Sequence, residues 1–134
     1  MTTVTQTTDR TTRVLLGLGA AAVVAMLGNA VIATAALALD GGVAPVGLDP
    51  AAYLSASVAG VLIGTAGWAL VRRFTARPAA VLRVLVPVVL VLTWIPDVAV
   101  LLGGATVVNA VALMLMHTVV ATSAVAALRR VLPV

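Results

Sequence analysis

Apolar residues fill four long stretches of the chain, 14–39, 52–71, 84–102 and 106–128, and polar or glycine-rich breaks separate them. Each stretch is close to the about 20 helical residues needed to cross the hydrocarbon core of a bilayer. The pattern predicts an all-α fold. It is an integral membrane four-helix bundle, antiparallel in up-down-up-down order, forming a single domain over residues 14–130. Residues 1–13 are polar and rich in threonine, without periodicity, and predict a disordered cytoplasmic tail.

The breaks carry their own signals. Asp40-Gly41-Gly42 ends the first span with glycine able to take a left-handed helix cap. A short apolar loop, 43–48, follows. Asp49-Pro50 then reads as an N-cap with proline at the first helical position. Arg72-Arg73 closes the second span, and Arg77-Pro78 interrupts the next loop. Gly103-Gly104 makes a tight turn with Thr106 as the cap of the fourth span, so spans three and four are expected to be antiparallel neighbours.

Charge sets the expected orientation. Only 9% of residues are charged, far too few to cover a soluble surface, and all eight basic residues are arginines lying outside the apolar spans. Arg10 and Arg13 precede span one; Arg72, Arg73, Arg77 and Arg83 lie between spans two and three; Arg129 and Arg130 follow span four. The other two breaks carry Asp40 and Asp49 and no arginine. The positive-inside rule then places both termini in the cytoplasm. The net charge of +4 therefore reports topology and contact with membrane lipid, not nucleic-acid binding. Arginine without lysine, in an Ala/Val-rich chain, points to a GC-rich bacterial genome and so to the bacterial cytoplasmic membrane. The first span with its leading arginines also has features of a signal peptide. A signal h-region is only about 7–15 residues long, so a retained helix is expected.

Small residues mark helix contacts in a bilayer, because lipid tails provide no hydrophobic drive for association. Gly19, Ala22, Ala25, Asn29, Ala33 and Ala36 form one stripe on span one. Gly60, Gly64 and Gly67 form a glycine face on span two, either for packing within the bundle or for a homodimer. Ala110, Leu113, His117, Ala121 and Ala124 share a stripe on span four. Span three carries bulk and is expected to fill against the other three. Tyr53, Trp68 and Phe74 fall where interfacial aromatic belts lie. Trp94 falls near mid-bilayer beside Pro96, which should bend span three and leave a backbone carbonyl that Thr93 could help satisfy.

Candidate chemistry reduces to a polar intramembrane site of Asn29, Thr93, Asp97 and His117. Without cysteine, and with a single histidine, neither a metal site nor a cofactor site is expected. Counted from the turn at 103–105, His117 lies about six residues deeper than Asp97, or roughly 9 Å. The side chains lean toward each other, however, since each tilts toward its own helix N-terminus. Asp97 and His117 read either as a proton-handling pair, the candidates for any catalysis, or as structural ties between helices. Asn29 alone reads as an interhelical contact.

Gly67-Trp68-Ala69-Leu70, the late proline of span three, and the run from Leu113-Met114-Leu115-Met116-His117 to Leu128-Arg129-Arg130 resemble an actinobacterial family of small four-helix membrane proteins classed as a domain of unknown function. The resemblance spans about residues 13–130. It implies a four-helix membrane protein and no activity. His117 matches the family pattern. At Thr93-Trp94-Ile95-Pro96-Asp97 the chain departs from a Ser-Leu-x-Gly-Pro-like segment.

Three functions compete on these features. The leading one is a non-enzymatic bundle that packs with itself or with a partner membrane protein. The second is a binder or carrier of a small apolar molecule or proton through Asp97 and His117. The third is a lipid- or isoprenoid-modifying enzyme with Asp97 as acid and His117 as base, which needs both within reach of one substrate atom.

Overall fold

The structure, a computed structural model, describes residues 2–41 and 45–134. It contains four helices: α1 (Thr2–Leu39), α2 (Pro50–Phe74), α3 (Pro78–Leu102) and α4 (Val107–Val131). All four are long and apolar enough to span a membrane, and they pack together.

The helices outrun the apolar stretches that predict them. α1 begins at Thr2 instead of Val14, so the expected disordered tail is helical over its described part, and Asp9 pairs with Arg13 one turn later at 2.7 Å. Met1 lies outside the described residues. α3 starts at Pro78, where proline needs no hydrogen-bonding N–H. The hydrophobic period marks the membrane-crossing core, whereas caps decide where a helix stops. Asp49 accepts from the Ala52 N–H at 2.9 Å with Pro50 at the first turn, and Thr106 accepts from the Asn109 N–H at 3.0 Å. Gly41 follows α1 with φ +61, a left-handed conformation that favours glycine. The loop expected over 43–48 is described only from Pro45 onward; Gly42, Val43 and Ala44 lie outside the described residues.

The arrangement differs from the expectation that span three sits against three small-residue faces. α4 is the central helix, touching α1, α2 and α3, and its contact with α1 is the most extensive. α3 touches α4, meets α2 only sparsely, and makes no contact with α1 among the described residues. Only Leu82 and Asp97 of α3 are buried. The reason is the bilayer itself. Valine and leucine lose nothing by facing lipid, so bulk does not drive α3 inward, while small side chains let backbones approach.

Ala21, Ala25, Asn29, Ala33 and Ala36 of α1 are buried, as are Ala110, Ala112, Met116, Ala124 and Leu128 of α4, and Ala33 and Ala36 meet Ala112 and Met116 in one cluster. The expected Gly19 is exposed and nothing lies within 4 Å of a Cβ built there; Gly17 and Gly28 take its place, facing Val131 and Val119.

Two clusters close the ends. At one end, Leu48 from the loop packs with Ala33, Ala36, Ala112 and Met116. Asn109 clasps that loop with both amide atoms: Val46 N–H donates to Oδ1 at 2.8 Å and Nδ2 donates to Val46 O at 3.0 Å. The Thr106 hydroxyl donates to Asp40 Oδ2 at 2.5 Å. At the other end, Trp68, Leu82 and Leu128 form the second cluster. Trp68 is therefore a core residue and not a belt residue. It is buried, and its indole N–H donates to Leu132 O at 2.9 Å. Phe74 is exposed, with the Arg73 guanidinium 5.7 Å from its ring centre.

Asn109→Ala removes the clasp and leaves the Val46 N–H and carbonyl without a side-chain partner. A loss of about 1–2 kcal/mol is expected, read as a lower midpoint of thermal unfolding in detergent. An unchanged midpoint would mean that the loop holds without Asn109.

Candidate functional site

α4 carries His117 in mid-helix, and α3 carries Asp97 one residue after Pro96, so the site straddles the α3–α4 contact. Asp97 Oδ2 lies 3.0 Å from His117 Nδ1. The residue count alone overstates the separation; the expected lean of the two side chains toward each other leaves room for the direct contact found here. The pair is asymmetric: the Asp97 side chain is 5% exposed and that of His117 38%.

The hydrogen bonds fix which ring atom does what. His117 Nδ1 also lies 2.9 Å from the Leu113 carbonyl oxygen, one turn earlier. A carbonyl only accepts, so Nδ1 carries a proton and donates to Leu113 O. Asp97 Oδ2, although 3.0 Å away, is off that N–H direction and receives no aligned donor. The contact is thus a close electrostatic approach beside a hydrogen bond, not a shared hydrogen bond. In the neutral ring Nε2 is left as a lone-pair acceptor, and it has no hydrogen-bond partner among the described residues.

His117 forms part of the wall of a cleft of about 670 Å³ between α2, α3 and α4. Ligand pockets typically span about 300–1,000 Å³. Asn29 and Thr93 belong to the same wall, whereas Asp97 stands behind His117 and does not line it. Three of the four sequence-predicted polar residues therefore meet one cavity, and the fourth supports it. Apart from the Tyr53 hydroxyl and the Trp68 indole N–H, which is committed to Leu132 O, the rest of the wall is apolar, and no Asp or Arg lines it. The cleft opens where α2 and α3 meet sparsely; Ile63, Leu85 and Val89 on its rim remain exposed.

Each remaining polar residue has a local account. Asn29 is buried to 2% and donates through Nδ2 to Ser57 Oγ at 2.9 Å, which itself donates to Tyr53 O at 2.6 Å. This ties α1 to α2, while Asn29 Oδ1 is buried and unpartnered. Thr93 donates to Leu90 O at 2.6 Å. That is not the carbonyl freed by Pro96, which belongs to Leu92, so the expected backbone repair by Thr93 does not occur. Trp94 Nε1 is likewise buried without a partner.

The glycine face of α2 is divided. A Cβ on Gly60 would come within 2.7 Å of Val120 Cγ1, so Gly60 permits the α2–α4 approach. Gly64 and Gly67 line the cleft with nothing within 4 Å of a Cβ. As residues expected to pack helices, they do not do so within this chain; their missing side chains leave the cleft its space. Ser57 and Asn109 were not singled out from the sequence. The signal for Asn109 was available, since it stands three residues after the Thr106 cap. Nothing distinguishes Ser57 from other small residues of α2. Among the described residues, no three of the His and Asp side chains gather as a metal site would require.

The chain belongs to DUF6069, a family of unknown function, whose profile matches residues 5–134. No curated protein matches the chain. No solved structure matches it either.

Proposed function

We propose that the protein binds a small lipid-soluble molecule in the cleft between α2, α3 and α4, with the polar end of the ligand at His117. The observation that carries this reading is the position of His117. It presents a partly exposed ring with an unpartnered nitrogen to a largely apolar cavity of about 670 Å³. A ligand arriving from the hydrocarbon region would enter between α2 and α3 without crossing a polar barrier. Asp97 places a buried carboxyl 3.0 Å from the ring, an expensive placement inside a membrane that usually accompanies function. The reading includes a four-span topology in the bacterial cytoplasmic membrane, up-down-up-down with both termini inside, supported by the arginines at one set of breaks and Asp40 and Asp49 at the other.

The test uses a diazirine-bearing alkyl probe in nanodiscs, with labelled residues located by mass spectrometry. Gly64→Phe places a ring in open cleft space and should reduce labelling of the cleft by tenfold or more with little change in unfolding midpoint, since no neighbour meets the new Cβ. Equal labelling of the variant would overturn the proposal.

A second reading keeps the leading expectation from the sequence: a helix of a second copy, or of a partner membrane protein, fills the same cleft. The observation favouring it is that Gly64 and Gly67 face no atom of their own chain. The native chain has no cysteine, so Gly64→Cys gives an unambiguous probe. Efficient disulfide dimers across the bilayer would favour assembly over ligand binding.

A further inference from the structure

We infer that the ligand's polar end is an uncharged hydrogen-bond donor, a hydroxyl on an apolar chain or ring, received by His117 Nε2. This rests on the cleft being a ligand site and specifies what it takes.

The argument begins with the ring. Leu113 O fixes the proton on Nδ1, so the neutral imidazole offers Nε2 as an acceptor. Thr93, in the same wall, spends its proton on Leu90 O, so its oxygen can only accept from a ligand. Asn29 adds a third acceptor, Oδ1, buried without a donor, while its Nδ2 donates to Ser57 Oγ. The Tyr53 hydroxyl, also in the wall, can donate or accept, but Nε2, Thr93 Oγ1 and Asn29 Oδ1 all accept. A ligand that also only accepts, such as an ether or ester, would leave these atoms unpaired, and unpaired polar groups in a dry site are costly.

Charge removes the other donors. No arginine lines the cleft, so a carboxylate or phosphate head would find no counter-ion. No aspartate lines it either, because Asp97 is shielded behind His117, so an ammonium head would lose hydration without contacting a carboxylate. A neutral hydroxyl meets neither obstacle.

His117 is the sole histidine, so selective ¹⁵N-histidine labelling reports this ring alone. The probes are dodecanol, dodecyl methyl ether, dodecylamine and dodecanoic acid, added to the full chain in nanodiscs. In the free protein the spectrum should show a protonated Nδ1 and an unprotonated Nε2. Dodecanol should shift Nε2 and the ether should not. Diazirine-bearing versions of all four, differing only in the head, should label the cleft with the alcohol about tenfold above the ether, the effect of one good hydrogen bond. His117→Phe should level alcohol and ether. A protonated Nε2 in the free protein, an unmoved Nε2 with dodecanol, or preference for the amine or acid would overturn the inference. Equal labelling by all four heads, still blocked by Gly64→Phe, would overturn it while leaving the cleft as a ligand site. Labelling by none above the Gly64→Phe background would remove the ligand site itself.

Discussion

Gly28→Leu is expected to separate α1 from α4 and to cost about 3 kcal/mol, the upper end of what overpacking imposes. A Cβ at Gly28 would already stand 2.8 Å from Val119 Cγ1, so even alanine needs the valine to move. Leucine adds carbons at the most extensive helix contact in the bundle, where α4 cannot retreat without loosening its contacts with α2 and α3. Replacing glycine within a helix also returns about 1 kcal/mol of propensity, which works against the effect. Gly19→Leu isolates that gain, because Gly19 lies on the same helix, exposed, with no atom within 4 Å of the new Cβ. Thermal unfolding in detergent should place Gly28→Leu well below the native chain and Gly19→Leu at or slightly above it. Matching midpoints for the two variants would mean that α1 and α4 do not meet through Gly28.

The contrast between these glycines shows where sequence reading succeeds in a membrane bundle and where it stops. Four spans were legible because a helix must satisfy its own backbone across the hydrocarbon, which demands long uninterrupted apolar runs. The caps at Asp49 and Thr106 were legible because they are local hydrogen-bonding events. The identity of the central helix was not. In water, the apolar face of a helix points inward; in lipid, both faces are apolar, and the inward one is marked only by side-chain size. That weaker signal located Ala25, Asn29, Ala33 and Ala36 correctly but chose Gly19 over Gly17 and Gly28. It left the glycine face open between packing within the bundle and a homodimer; within this chain only Gly60 packs closely, and Gly64 and Gly67 border open space. Trp68 was misplaced for a related reason: position near a span end suggested a belt, whereas its indole finds Leu132 O inside the bundle.

The candidate site was more legible than the packing around it. Asn29, Thr93, Asp97 and His117 stood out because polar groups are rare in such spans, and three of them do line one cavity. What the sequence withheld was their relation. A count along two helices gives depth but not tilt or lean, so the 3.0 Å approach of Asp97 to His117 lay beyond it. The cavity itself arises where α2 and α3 meet only sparsely, which no single residue encodes.

Asp97→Leu should separate stability from binding. If Asp97 serves mainly to tie α3 to α4, losing it should loosen the bundle. The geometry argues otherwise. Asp97 Oδ2 receives no aligned hydrogen bond, and His117 keeps its bond to Leu113 O without it. The variant leaves no stranded charge, because His117 can remain neutral. Replacing a buried ionisable group by a well-packed apolar one is often neutral or stabilising by about 1–4 kcal/mol, and the hydrocarbon surroundings strengthen that tendency. The unfolding midpoint of Asp97→Leu is therefore expected to stay level or rise. Labelling of the cleft by the alcohol probe should meanwhile fall by about tenfold, since the polar carboxyl packed 3.0 Å from the His117 ring is gone. Asp97→Asn, which keeps the shape and removes the charge, should show the same loss of binding. A lower midpoint with unchanged labelling would assign Asp97 to the fold. A level or higher midpoint with weaker labelling would mean that the bundle carries an unpaired carboxylate for the sake of what it binds.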